Sequence, residues 1–167
     1  MNGLFRTVVA VALAAAGIAG LLANHATGSG PGPVGGLAPV AGSAVLAPAQ
    51  IAGYAHAAGF SGDGLTVAVA VALAESDGNT AAHNTTPPDD SYGLWQINML
   101  GPLGPDRRAR HGLASNRELF DPAVNARVAH AESDGGRNWG PWATYTHGTY
   151  RQHLDRARQG VRTLAGR

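Results

Sequence analysis

The sequence predicts a single, mainly α-helical domain with minimal β-sheet, occupying residues 48–167. Several segments of this region carry apolar residues at helical spacing, and the breaks between them are rich in glycine and proline. The chain contains no cysteine, so an exported domain has to be stable without disulfide bonds. About 120 residues are enough for this, since a domain of that size buries roughly two-thirds of its unfolded surface.

The first two helices are predicted at residues 48–59 and 65–76. In the first, Ile51 and Tyr54 belong to a helically spaced apolar set, and Gly59 ends the helix. The second segment is almost entirely apolar up to its last two residues. Its alternation of valine and alanine would also suit a strand, but its length and alanine content favour a buried helix.

Two further helices are predicted towards the C-terminus. Asp121 followed by Pro122 is a typical helix start, and the pair of glycines at 135–136 ends this helix. The last helix is amphipathic, with a helically spaced apolar stripe made of Tyr150, Leu154, Ala157, Val161 and Leu164. The arginines beside this stripe predict a solvated face rather than a binding patch.

The N-terminal residues predict export. Arg6 precedes a run of small and apolar residues at 8–23, which is slightly long for a signal peptide and short for a span of about 20 residues. We therefore interpret residues 1–26 as a signal peptide or a signal anchor. Residues 27–47 are rich in glycine, proline and alanine and predict a linker. The expected location is secreted or in the cell envelope, with the membrane contacted only through the N-terminal segment.

Charge and motif content exclude several functional classes. The formal net charge is +1, and no concentrated basic face of the kind that binds phosphates is evident, so we expect no nucleic-acid partner. The seven histidines include no pair at metal-ligand spacing on one helix, and no phosphate-binding glycine loop or serine nucleophile elbow is present. We expect a monomer that uses no metal and no cofactor.

One glutamate and one later segment carry the chemical signal. Glu75 ends the apolar helix, and residues 91–98, here called the cleft segment, have the sequence Ser-Tyr-Gly-Leu-Trp-Gln-Ile-Asn. Apolar surroundings favour a protonated carboxyl group, which can then protonate a leaving-group oxygen. Aromatic rings and amides are suited to holding a sugar ring. Glu132 has the same immediate neighbours but ends a more polar helix, so we do not expect it to be the acid.

Taken together, these motifs resemble the lysozyme-like superfamily, and specifically the SLT-type lytic transglycosylase domains. Members combine a helix ending in Glu-Ser, a variable loop and a Gly-Leu-x-Gln-Ile-Asn segment, which are similar to Glu75-Ser76 and to residues 93–98 here. The segments at 120–126 and 139–145 also look like the later helix and the aromatic segment of that family. The resemblance covers residues 48–150 and implies a lysozyme-like, mainly α fold with minimal sheet.

The resemblance also implies site residues and a substrate. Glu75 matches the catalytic acid of the family, and the residues implied to bind substrate are Tyr92, Trp95, Gln96, Asn98, Trp139 and Tyr145. Trp95 occupies a variable position of the motif, and Trp139 and Trp142 could instead fill the core. The implied partner is a peptidoglycan glycan strand, cleaved at the β-1,4 bond between N-acetylmuramic acid and N-acetylglucosamine.

One departure from the pattern bears on the reaction outcome. Animal-type lysozymes carry an aspartate immediately before the Tyr-Gly of this segment, where this chain has Ser91, and the nearest carboxylates are Asp89 and Asp90. Lytic transglycosylases need only one glutamate, because the 6-hydroxyl group of the substrate closes on the anomeric carbon. The sequence therefore favours a transglycosylase over a muramidase that uses Asp89 or Asp90 as a second carboxylate. A glycan-binding module without catalysis is the alternative from another functional class.

Overall fold

The computed structural model describes residues 45–166. Within that range the helices are α1 (Pro48–Ala57), α2 (Gly62–Ser76), α3 (Leu103–His111), α4 (Pro122–Glu132), α5 (Ala143–Thr146) and α6 (Leu154–Ala165). Two 3-10 helices span Asn116–Phe120 and Thr149–His153, and three short strands are β1 (His83–Asn84), β2 (Ser91–Tyr92) and β3 (Ile97–Asn98). This is a mainly helical single domain with a small sheet, as predicted.

Helix α2 forms the centre of the core. Residues 68–73 are all buried, and the helix packs against α1, α6 and the 3-10 helix at 149–153. Burial on several sides explains why α2 has no polar face. Helices α1 and α6 also approach closely, since a Cβ atom on Gly160 would lie 2.6 Å from the carbonyl carbon of Pro48.

The four predicted helices are present, and their ends have local causes. Helix α2 ends at Ser76 because Asp77 adopts a left-handed conformation with φ of 46°. Asp121 caps α4, with its side chain accepting hydrogen bonds from the backbone N–H groups of Ala123 and Val124 at 2.8 and 3.0 Å. The predicted last helix is divided, since its first turn is the 3-10 helix at 149–153.

Helix α3 was not predicted. It is polar, and Gly104 is its only buried residue, so its sequence lacks the apolar periodicity on which a prediction depends. Arg108 ties it to the following 3-10 helix through a hydrogen bond from Nη1 to Oδ1 of Asn116, at 2.5 Å. Its stability therefore comes from polar contacts with its neighbours.

The sheet presents the cleft segment. Strand β2 pairs antiparallel with both β1 and β3. Ser91 lies opposite Asn98 in the register of β2 and β3. The turn between these strands requires Gly93, which has φ of 73° and whose Cβ, if present, would lie 2.1 Å from the carbonyl oxygen of Leu119.

Residues just before the predicted boundary at Pro48 also contact the domain. Val45 forms an isolated β-bridge with Asn79, and the N–H of Leu46 donates to the carbonyl oxygen of Gly78 at 2.9 Å. The predicted signal segment at 1–26 and most of the predicted linker lie outside the described residues and stay predictions. Among residues 45–166, no helix has both the length and the apolar character needed to cross a membrane.

Candidate active site

Glu75 lies in the last turn of α2 and is half-buried. The hydroxyl group of Thr144, on the short helix α5, donates a hydrogen bond to Oε1 of Glu75 at 2.6 Å. The pKa of Glu75 is raised from 4.5 to about 7, chiefly because burial disfavours the charged carboxylate. The hydrogen bonds from the side chain and backbone of Thr144 act in the opposite direction, and the negative charge of Asp89 raises the pKa further.

This environment suits a general acid. A carboxyl group with a pKa near 7 is protonated in a substantial fraction of molecules at neutral pH and can release its proton to a leaving group. The desolvation predicted from the apolar sequence of α2 is thus present in the structure. The catalytic role of Glu75 itself stays a prediction.

Glu132 is in the opposite electrostatic environment. Burial acts to raise its pKa, but the hydrogen bond from His111 and the charges of Arg107 and Arg110 outweigh this and lower the pKa below the ordinary value. Glu132 is therefore an ionised carboxylate at neutral pH and is poorly suited to donate a proton. The pKa values of Glu75 and Glu132 are therefore shifted in opposite directions, although the two residues have identical neighbours in sequence. The reason is that only Glu132 contacts basic side chains.

The two candidate secondary carboxylates also differ from each other. Asp89 accepts hydrogen bonds from Nδ2 of Asn84, at 2.9 Å, and from the hydroxyl of Ser91, and its charge acts on Glu75. Asp90 pairs with Nε2 of His83 at 2.8 Å. Asp89 is therefore the better candidate for a second role at the site, and both remain predictions.

Three of the predicted binding residues are half-buried in the cleft segment. Tyr92 stacks on His83, with ring centroids 4.1 Å apart. Gln96 has φ of 45° and donates from Nε2 to the carbonyl oxygens of Gly93 and Ala82, at 2.9 and 3.1 Å. These contacts hold the side chains in fixed orientations.

Asn98, the third of these residues, lies at the end of β3. Its Oδ1 accepts the backbone N–H of Leu100 at 2.8 Å. Its backbone carbonyl accepts a hydrogen bond from Nη1 of Arg107. Both the side chain and the backbone of Asn98 are therefore fixed by neighbours.

The prediction that Trp95 binds substrate through its side chain is wrong. Its exposed fraction is 0 %, and its indole N–H donates to the carbonyl oxygen of Ala68 in the middle of α2 at 2.9 Å. A fully buried ring offers no face to a sugar. Trp95 instead joins the cleft segment to the core helix.

The aromatic segment at 139–145 is partly core and partly surface. Trp139 is 3 % exposed and stacks on Phe60, with ring centroids 5.7 Å apart, which favours core filling for this residue. Trp142 is also buried and donates from its indole N–H to the carbonyl oxygen of Trp95 at 2.7 Å. Tyr145 is half-buried and stacks on Tyr150 at 4.6 Å, so it keeps a surface that a ligand can reach.

The chain matches the family model described as "lysozyme like domain" over residues 52–144, which is more than half of its length. The protein belongs to the lysozyme-like domain family. This confirms the resemblance and the lysozyme-like fold, and it implies a domain that binds and cleaves a glycan. No match was found among curated proteins or among solved structures.

In this lysozyme-like domain, sequence reasoning missed two residues that shape the site. Thr144 contacts Glu75 directly, but a threonine in an aromatic-rich segment carries no signal of that contact. Asn125 is fully buried and accepts the backbone N–H of Trp95 at 2.8 Å. It also donates from Nδ2 to the carbonyl oxygens of Tyr92 and Leu119, at 2.9 and 2.8 Å. Its placement on the apolar side of α4 was the available clue.

Within residues 45–166, no group of three or more histidine, aspartate or glutamate side chains is arranged to hold a metal ion. The polar groups that act on Glu75 are the hydroxyl and backbone of Thr144 and the carboxylate of Asp89. Such groups suit proton transfer and hydrogen bonding to a sugar.

Proposed function

We propose that the protein is a peptidoglycan lytic transglycosylase, with Glu75 as its acid and base. The observation that carries this proposal is the Glu75 carboxyl group, which has a pKa of about 7 because of burial and is oriented by Thr144. The substrate bond is the β-1,4 linkage from N-acetylmuramic acid to N-acetylglucosamine. The family membership supports glycan cleavage, and the bond and outcome are our inference.

The proposed reaction needs one carboxyl group in two steps. Protonated Glu75 transfers its proton to the bridging oxygen as the glycosidic bond breaks and positive charge develops at the muramic anomeric carbon. The resulting carboxylate then removes the proton from the 6-hydroxyl of the same sugar, whose oxygen bonds to the anomeric carbon. The products are a 1,6-anhydro end and a free 4-hydroxyl, and Glu75 is protonated again.

A muramidase reaction is the second candidate, because Asp89 is near enough to Glu75 to influence its pKa. A hydrolase needs a partner carboxyl group within about 5–10 Å of the acid. We favour the transglycosylase because Ser91 replaces the expected aspartate and because Asp89 already accepts hydrogen bonds from Asn84 and Ser91.

We further propose that the enzyme works outside the cytoplasm, secreted or anchored in the envelope. The support is the apolar run at 8–23 behind Arg6 and a substrate that lies in the wall. Fractionation of producing cells, with the protein detected by an antibody, tests this, and a purely cytoplasmic signal would contradict it.

Digestion of purified peptidoglycan in water enriched in oxygen-18 tests the reaction. A transglycosylase gives anhydro-muramic ends without the heavy isotope, whereas a hydrolase gives reducing ends that carry it. Product masses distinguish these outcomes, and no new ends at all would favour a binding module.

Two variants on the same helix test the acid. Glu75→Gln is expected to lower the cleavage rate by about two orders of magnitude or more, since it removes the transferable proton. Asp63→Asn is the matched control, because Asp63 is exposed in the first turn of α2, roughly 18 Å away at 1.5 Å per residue. Normal activity in Glu75→Gln would refute the assignment.

A further inference from the structure

Glu132 lies at the centre of a cluster that joins α4 to α3. It accepts hydrogen bonds from Nε of Arg107 at 3.0 Å, from Nη1 of Arg110 at 2.8 Å and from Nε2 of His111 at 2.8 Å. The side chains of Glu132, Arg107 and His111 are only 10–12 % exposed, whereas Arg110 is 52 % exposed. A carboxylate this well satisfied fixes the orientation of its nearly buried partners.

Arg107 is the member of this cluster that reaches the cleft segment. While Nε and Nη2 contact Glu132, at 3.0 and 2.9 Å, Nη1 donates to the backbone carbonyl of Asn98. The rigid, planar guanidinium group can serve two acceptors at once in fixed directions. Arg110 also contacts Glu132, but its other partner is Asp106 on its own helix.

We propose that Arg107, held by Glu132, is a positioning residue for glycan binding, acting through the backbone at Asn98. This inference rests on the proposed function, since Asn98 is a predicted glycan ligand. Fixing the carbonyl of Asn98 also fixes the turn in which its Oδ1 accepts the N–H of Leu100. Asn98 pairs with Ser91 in the sheet, and Ser91 holds Asp89, so the same anchor supports the surroundings of the acid.

A purely structural role for the cluster predicts a different result. Nearly buried ion pairs that link two helices affect stability when they are broken, and either arginine would then matter only through the fraction of folded protein. The positioning role instead separates Arg107 from Arg110, because only Arg107 contacts Asn98. The two arginines therefore provide an internal comparison.

The experiment uses the full chain carrying Glu75→Gln, so that bound glycan is not consumed. Arg107→Gln and Arg110→Gln are added separately, and the dissociation constant for a soluble peptidoglycan glycan fragment is measured by calorimetry well below each melting temperature. We expect Arg107→Gln to weaken binding about tenfold, the effect of one lost hydrogen bond of about 1.4 kcal/mol. Arg110→Gln is expected to bind like its parent. Arg107→Lys, which keeps the charge, provides a second variant if the glutamine variant does not fold.

Amide hydrogen exchange at Leu100, measured without glycan, gives a readout that does not depend on the proposed function. It should accelerate in Arg107→Gln or Arg107→Lys and stay unchanged in Arg110→Gln. Unchanged exchange at Leu100, unchanged affinity in the Arg107 variants, or equal effects from both arginines would overturn the proposal. If the parent binds no glycan, the proposed substrate is wrong, and the exchange data still decide whether Arg107 positions this segment.

Discussion

Replacing Glu75 by glutamine should make the protein more stable at alkaline pH while removing its activity. The pKa of Glu75 is about 7 in the folded protein and 4.5 ordinarily. The folded state therefore holds its proton more tightly than the unfolded state does. The stabilisation from this proton is complete below pH 4.5 and is lost as the pH rises to about 7.

The size of the effect follows from the two pKa values, 4.5 and about 7. At about 1.4 kcal/mol per pKa unit, the loss of wild-type stability from this group is about 3 kcal/mol. Glu75→Gln cannot ionise and does not suffer this loss. The free energy of unfolding of the variant relative to wild type should thus rise by up to about 3 kcal/mol between pH 4 and pH 8, or roughly 10 °C in melting temperature.

Urea unfolding at several pH values between 4 and 8, followed by circular dichroism, measures this difference. Glu132→Gln is the control of opposite sign. Because the pKa of Glu132 is lowered, its stabilisation is present above its ordinary pKa and lost as the pH falls. Its variant should therefore be least stable, relative to wild type, near pH 8. A pH-independent difference for Glu75→Gln would show that Glu75 is not desolvated, and our reasoning about the acid would fail.

Three further variants probe the site more locally. Thr144→Val removes a hydroxyl that lowers the pKa of Glu75, so the alkaline limb of the pH–rate profile should move to higher pH; an unmoved limb would contradict this. Asp89→Asn removes a charge that raises the pKa of Glu75, so the alkaline limb should move to lower pH. If the enzyme is a transglycosylase, the rate should also fall less than about tenfold, because no second carboxyl group is needed. A larger loss, with reducing ends in the wild-type digest, would indicate a muramidase. Gly93→Ala should lower the free energy of unfolding by at least about 3 kcal/mol, measured in urea, because its Cβ would clash with the carbonyl of Leu119; near-normal stability would show that the turn can rearrange.

Sequence reasoning located four helices and predicted the desolvation of Glu75, because both have local signals. Apolar periodicity located α1 and α6, the length and alanine content of an apolar run located α2, and the Asp121-Pro122 start located α4. The apolar run before Glu75 predicted the desolvation of its carboxyl group. Helix α3 was not predicted because polar contacts, rather than an apolar stripe, hold it in place.

Contacts between residues distant in sequence could not be predicted. Thr144 and Glu75 are 69 residues apart in sequence, yet their side chains are hydrogen-bonded. Nothing in the sequence around either residue predicts this contact. Trp95 was assigned to the substrate because an aromatic residue among amides suits a sugar. It lies instead in the turn between β2 and β3, and its ring is buried with the indole N–H bonded to the carbonyl oxygen of Ala68. Which face of such a short segment is buried depends on what packs beneath it.

The conformation of the cleft segment depends on the side-chain amide of one buried residue, Asn125. Its nitrogen serves two backbone carbonyls and its oxygen serves one backbone N–H, so an aspartate of the same shape would face two acceptors with no proton to offer them. Hydrolysis of the Asn125 side-chain amide to a carboxylate as the protein ages would have the same effect as replacing Asn125 by aspartate. The cleft segment would then lose its conformation while every residue predicted to face the glycan remained chemically intact.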